Sequence, residues 1–120
     1  MLANTITLND GTSDHVYDLV SRQGMESLRR ETGVSSSLNS GLTVKNTVDL
    51  GNASAQNRHL VQIARKEIDA TTGAEYKGSV HCVISRDKNF TDAELALMIA
   101  QLCAFLGVSA NITDILLGGN

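Results

Sequence analysis

Apolar and polar residues trade places with a period near two along the first two thirds of the chain. In the last third the period lengthens to three and four. Residues 4–8, NTITL, alternate and are rich in β-branched side chains. Asn9-Asp10-Gly11 is a strong hairpin turn signal, and the return strand is expected from His15 to Val20, with Val16 and Leu19 or Tyr17 facing inward. Ser21 to Gly24 is a break. The run MESLRRET, Met25 to Thr32, carries charges that fit a short amphipathic helix. Gly33 and the following SSSLNSG look like a hairpin loop, so a strand is predicted.

Leu42 to Leu50 alternates best. Leu42, Val44, Val48 and Leu50 share one face, interrupted by Asn46, while Thr43, Lys45, Thr47 and Asp49 share the other. That is a sheet with one dry and one wet face. After Gly51-Asn52, Asn57 to Ile68 forms the next strand, with poorer alternation. His59, Val61, Ile63 and Arg65 lie on one side; Leu60, Gln62, Ala64 and Lys66 lie on the other. Thr71-Thr72-Gly73 turns the chain, with Gly73 expected at positive φ. Tyr76 to Ser85 returns, with Val80, Cys82 and Ile84 inward and Lys77, Ser79 and His81 outward.

Phe90 to Gly107 is the clearest helix. Thr91 with Glu94 makes a capping box, Phe90 and Leu95 can close a hydrophobic staple, and Gly107 is expected to supply a left-handed stop. Leu95, Met98, Ile99, Leu102, Phe105 and Leu106 form one stripe. Ala93, Leu97, Ala100 and Ala104 cover the rest, and past the first turn only Gln101 is polar. A helix apolar all round is buried on all sides. At roughly 16 residues it is too short to span a bilayer, which takes about 20, so no membrane partner is expected. A chain this small has one layer to put under such a helix, and the other side therefore calls for a second copy. A second short helix, capped by Ser109 or Asn111, is expected to run to Leu117 and stop at Gly118-Gly119. Strands followed by helices place the fold in the α+β class.

With 120 residues, one domain is expected. Tyr17, Tyr76, Phe90 and Phe105 are the only aromatic residues, so the core has to be built from Leu, Ile, Val and Ala. No signal peptide is recognised, and Cys82 and Cys103 are expected as buried thiols in a reducing compartment. The net charge is −3, yet all ten Lys and Arg lie between Arg22 and Lys88. Six of the thirteen acids lie outside that segment, so it holds seven acids against ten bases, a charge of +3. A basic middle between acidic ends can mark a polyanion-binding surface; solvated strand edges would give the same pattern.

Enzyme chemistry finds no support. His15, His59 and His81 have no metal-ligand spacing with either cysteine, and neighbours His81 and Cys82 point to opposite faces of a strand. No glycine-rich phosphate loop precedes a helix, and no cofactor is expected. The wet face is the stronger candidate. Lys45, Thr47, Asn57, His59, Lys77, Ser79 and His81 offer cationic, amide and hydroxyl groups suited to phosphates and base edges. A plain solvent-facing sheet is the competing reading.

Ser54-Ala55-Gln56-Asn57-Arg58, following Lys45-Asn46-Thr47-Val48-Asp49, resembles the central hairpin of single-stranded RNA bacteriophage (levivirus) coat proteins. Glu31-Thr32-Gly33-Val34 resembles the end of an earlier strand in that family, and Asp92-Ala93-Glu94-Leu95 the start of its long helix. The resemblance implies an N-terminal hairpin (1–20), a five-stranded antiparallel sheet (25–85) and two C-terminal helices (91–117). It implies an interlocked dimer in which each chain's helices lie over the partner's sheet. It further implies an icosahedral virion assembled in the bacterial host cytoplasm around single-stranded genomic RNA, with translational repression through an RNA hairpin in several members. The RNA-facing positions it implies are Lys45, Thr47, Asp49, Asn57, His59, Val61, Ile63, Lys77, Ser79 and His81. The connection from Asp69 to Glu75 is shorter than the family's. The alternative is a small cytoplasmic α+β RNA-binding dimer that forms no shell.

Overall fold

The computed structural model describes residues 1–47, 57–87 and 89–119, which form two compact units, Met1–Arg86 and Asp87–Asn120. In the first unit the described residues make six strands: β1 (Thr5–Asn9), β2 (Asp14–Gln23), β3 (Glu26–Glu31), β4 (Leu38–Thr47), β5 (Asn57–Ile68) and β6 (Glu75–Arg86). They pair antiparallel in chain order as one meander. The N-terminal hairpin is thus not separate from a five-stranded sheet. β2 pairs with β1 on one side and β3 on the other, so a single six-stranded sheet results.

Two strands outrun their sequence patterns. β2 continues past a bulge between Leu19 and Ser21 to Gln23, where Gly24 turns the chain at φ +57°. β4 begins at Leu38, inside the expected SSSLNSG loop. Its first four residues pair with Glu67 to Ala64 of β5, and the Ser40 hydroxyl, fully buried, lies 3.3 Å from that of Tyr17. Cross-strand pairing outweighs the turn propensity of serine and glycine there. The run Met25 to Thr32 holds a strand, β3 at Glu26–Glu31, as the loop after it requires. Gly73 takes φ +72° in the β5–β6 turn, where Asp69 accepts from the Thr71 backbone and sits below its usual carboxylate range mainly for that reason. Val48, Asp49, Leu50 and the turn at Gly51-Asn52 lie outside the described residues.

The registers divide the sheet into two faces. The dry face carries, row by row across β2 to β6, Leu19–Arg29–Leu42–Ile63–Val80 and, from β3 on, Ser27–Val44–Val61–Cys82. Its centre is not the aliphatic core the composition suggests. Tyr17, Ser27, Arg29, Glu31, Ser40 and Leu42 are its buried residues. Arg29, 0% exposed, is held by the N-terminal segment: Nε and Nη2 donate to the Ala3 carbonyl at 3.0 and 2.6 Å, and Nη1 donates to Ser27 Oγ at 2.8 Å. A buried cation needs such partners, because leaving its donors unmade is costly. The aliphatic rows nearer β6 stay open: Val61 is 38% and Val80 75% exposed.

The second unit holds α1 (Asp92–Leu106) and α2 (Ser109–Leu116). The capping box forms: Thr91 Oγ1 accepts from the Glu94 backbone at 3.2 Å, and Glu94 Oε2 accepts from the Thr91 backbone at 3.4 Å. No residue of either helix is buried. Gly107 is not left-handed. Its φ of −73° is helical, and a Cβ there would lie 3.2 Å from the Cys103 carbonyl. Nor does Ser109 or Asn111 cap α2; Val108 holds that position without a side-chain bond. The one-turn link keeps the end of α1 within reach, so Asn111 Nδ2 donates to the Phe105 carbonyl at 3.0 Å instead. Gly118, at φ +85°, ends α2.

Candidate nucleic-acid interface

The wet face is built by β3 to β6. From one end to the other its rows read Thr47–Arg58–Ser85, Lys45–Leu60–Val83, Thr43–Gln62–His81, Gly41–Ala64–Ser79 and Asn39–Lys66–Lys77. Glu26, Leu28 and Arg30 extend the middle rows onto β3. Strict alternation in β4 and β6 puts Lys45, Thr47, Lys77, Ser79 and His81 here together, as their sequence pattern indicates.

The four β5 positions expected beside them are elsewhere. Asn57, His59, Val61 and Ile63 lie on the dry face, opposite Arg86, Ile84, Cys82 and Val80. His59 Nδ1 lies 2.7 Å from Oδ1 of Asn46, another dry-face residue. The reason is one of phase. Either side of β5 mixes polar with aliphatic residues, so its alternation does not choose a face; pairing with β4 does, and a one-residue shift turns every side chain over. Arg58, Leu60, Gln62, Ala64 and Lys66 occupy the wet face instead. Arg58 and Lys66 are legible in the sequence only by counting back from Lys77 and Ser85 through the Thr71–Gly73 turn. Asp49 lies outside the described residues.

The face is graded in height. Gly41, Ala64 and Ser79 make a row of small residues, which opens a depression of about 440 Å³ walled by Leu28 and Thr43 on one side and rimmed by Lys66 and Lys77. Charge is uneven too. Lys66 Nζ is 2.9 Å from Glu75 Oε1. That bond, aided by the charges of Lys66 and Lys77, holds the Glu75 carboxyl below its usual range. Lys45 Nζ is 4.0 Å from Glu26 Oε2. Arg30, Arg58 and Lys77 have no ion pair among the described residues. Five cations, hydroxyls of Thr43, Thr47, Ser79 and Ser85, and the amides of Asn39 and Gln62 therefore share one exposed plate. Such groups bind phosphates and base edges. Tyr76, the one aromatic residue of β6, lies on the dry face opposite Glu67.

Among the described residues no group of three His, Cys, Asp or Glu could hold a metal ion. Cys82 and Cys103 are free thiols; Cys103 is exposed, not buried. No single described helix is long and apolar enough to cross a membrane.

The predicted interface residues of α1 are brought to the surface of their own chain. Met98, Ile99, Leu102, Phe105 and Leu106 are exposed, and Leu95 is half-buried. In the sheet, β6 is twelve residues long and no strand among the described residues pairs with its outer edge. A long unpaired edge is a template for another strand.

The sequence matches no family model and no curated protein. Solved structures do match in shape. The virus-like particle protein of Beihai levi-like virus 21 superposes with a TM-score of 0.76 at 18% identity, over 97% of this chain and 94% of that one. That of bacteriophage AVE019 gives 0.76 at 18% identity, over 100% and 99%. The capsid protein of bacteriophage GA gives 0.63 at 10% identity, over 98% and 95%. The chain thus has a levivirus-type coat-protein fold: an antiparallel sheet followed by two C-terminal helices.

Proposed function

We propose that this chain is the capsid protein of a levivirus-like phage, which dimerises, closes into a shell and packages single-stranded RNA. One observation carries the reading: in a coat-protein fold, a single chain leaves open the very surfaces a second copy would cover. These are the aliphatic rows around Val61 and Val80, the free edge of β6 and the all-apolar α1. Exposed apolar surface of this kind marks an interaction site. In the dimer, Leu95, Met98, Ile99, Leu102, Phe105 and Leu106 pack over the partner's dry face, and β6 pairs with its counterpart. The wet face then lines the interior. Its RNA-contacting residues are Lys45, Thr47, Arg58, Gln62, Lys66, Lys77, Ser79 and His81, with Asn57, His59, Val61 and Ile63 assigned to the dimer side. The particle is a virion assembled in a bacterial host's cytoplasm.

Size-exclusion chromatography and electron microscopy of the purified full chain test this. Closed particles containing RNA are expected. A well-folded monomer would overturn the dimer, and a uniform free dimer without particles would leave an RNA-binding module that builds no shell.

A further inference from the structure

One polar cluster in the sheet unit plays no part in either face's proposed role. His15 is the second residue of β2 and lies on the dry face. Its Nε2 lies 2.8 Å from Asp10 Oδ2, in the β1–β2 turn, and its Nδ1 lies 2.5 Å from Glu31 Oε1, at the end of β3. The two carboxylates differ in setting. The Asp10 side chain is 47% exposed, and that of Glu31 only 4%. Glu31 Oε2 has no hydrogen bond; Arg65 Nη2 of β5 lies 3.8 Å from it.

An ionised carboxylate only accepts, and a neutral imidazole donates from one nitrogen alone. With a carboxylate on each nitrogen, both bonds exist only when the ring is the imidazolium. We propose that His15 is a proton-operated clasp, which ties the β1–β2 turn to the buried Glu31 carboxylate while charged and lets the turn go when neutral.

The neutral ring has one N–H left to give. Glu31, buried, loses more by forfeiting a donor than Asp10, which water can solvate. The proton therefore stays on Nδ1, and the Asp10 contact opens. The other charged groups around the ring do not replace that contact. Asp14 accepts from Asn9 Nδ2 at 2.8 Å, and Arg65 also reaches Glu67, at 3.9 Å. Arg29 is committed to Ala3 and Ser27. β1 places uncharged Leu8 opposite His15. Asp10 retains its bonds from the Thr12 and Ser13 backbones, so the turn keeps its shape while its tether is lost.

The bond to Asp10, then that to Glu31, raises the His15 pKa above its ordinary 6.5. The clasp's stabilisation is therefore complete below the ordinary histidine value and disappears as pH rises through the raised one. The device lies wholly within the sheet unit and is independent of the capsid reading.

The test is NMR of the full chain, in solution or by magic-angle spinning on particles. The His15 ring shifts and the backbone order parameters of Gly11, Thr12 and Ser13 are followed against pH. Order parameters are expected near the rigid value of about 0.85 with the ring charged, falling towards about 0.6 as it titrates. Asp10→Asn keeps the acceptor for the Thr12 and Ser13 backbones, removes the charge facing the ring and turns an Nδ2 donor towards Nε2, which suits the neutral ring; the His15 titration should shift down and the turn should stay ordered when the ring is neutral. In the unmutated chain, order parameters that stay constant through the His15 titration, or an unshifted titration in Asp10→Asn, would overturn the proposal.

Discussion

Replacing Arg58 and Lys77 together by Ala tests both the RNA face and the phase of β5. Five cations stand on that face, but two are already engaged: Lys66 with Glu75 at 2.9 Å and Lys45 with Glu26 at 4.0 Å. Arg30, Arg58 and Lys77 have charge to spare for phosphate, and the last two stand on the neighbouring strands β5 and β6. Each phosphate neutralised on a single strand adds about 0.7 to the slope of log affinity against log salt. Losing two contacts should flatten the slope by about 1.4. The unmutated chain would then lose about sevenfold more affinity than the double variant between 50 and 200 mM salt. The assay is titration of a labelled single-stranded RNA at four or five salt concentrations, with circular dichroism to check the fold. Arg22→Gln is the control, because Arg22 lies on the dry face opposite Ser27. An unchanged slope in the double variant, or an equal flattening in Arg22→Gln, would refute the assignment of RNA to the wet face.

Leu42, buried between Arg29 and Ile63 in its row, should cost about 2–5 kcal/mol when changed to Ala, read by urea unfolding. Thr91→Ala removes the acceptor for the Glu94 backbone and should cost about 1 kcal/mol, seen as a lowered melting temperature. Leu102→Asp puts a charge in the proposed dimer interface, where an unpaired buried carboxylate is not tolerated; size-exclusion should show the dimer gone, and an intact dimer would remove Leu102 from the interface. Gly-Ser inserted at Thr72, an exposed turn tip, should leave the dimer folded and reduce particle yield only modestly by electron microscopy.

The order of elements and most of the local geometry were legible in the sequence because they rest on near neighbours. The Thr91–Glu94 capping box and the Gly73 turn each close within a few residues, and the faces of β4 and β6 come from strict alternation. Only the tertiary structure decided the rest, because the deciding partners are remote in sequence. Asn57, His59, Val61 and Ile63 were set on the dry face by pairing with β4 across a connection that local pattern does not count through. Arg29, a charged residue in a run that could pass for a surface helix, is buried because the carbonyl of Ala3, 26 positions away, satisfies it. Ser40 became strand rather than loop through its pairing with Arg65 of β5. Gly107 looked like a left-handed stop and is helical, because α2 begins almost at once and its Asn111 bonds back to α1. Local hydrogen bonds and period-two alternation act within a few residues and are written in composition and spacing. Register, and the burial of a charge, depend on which distant backbone arrives, and that is settled only when the sheet closes.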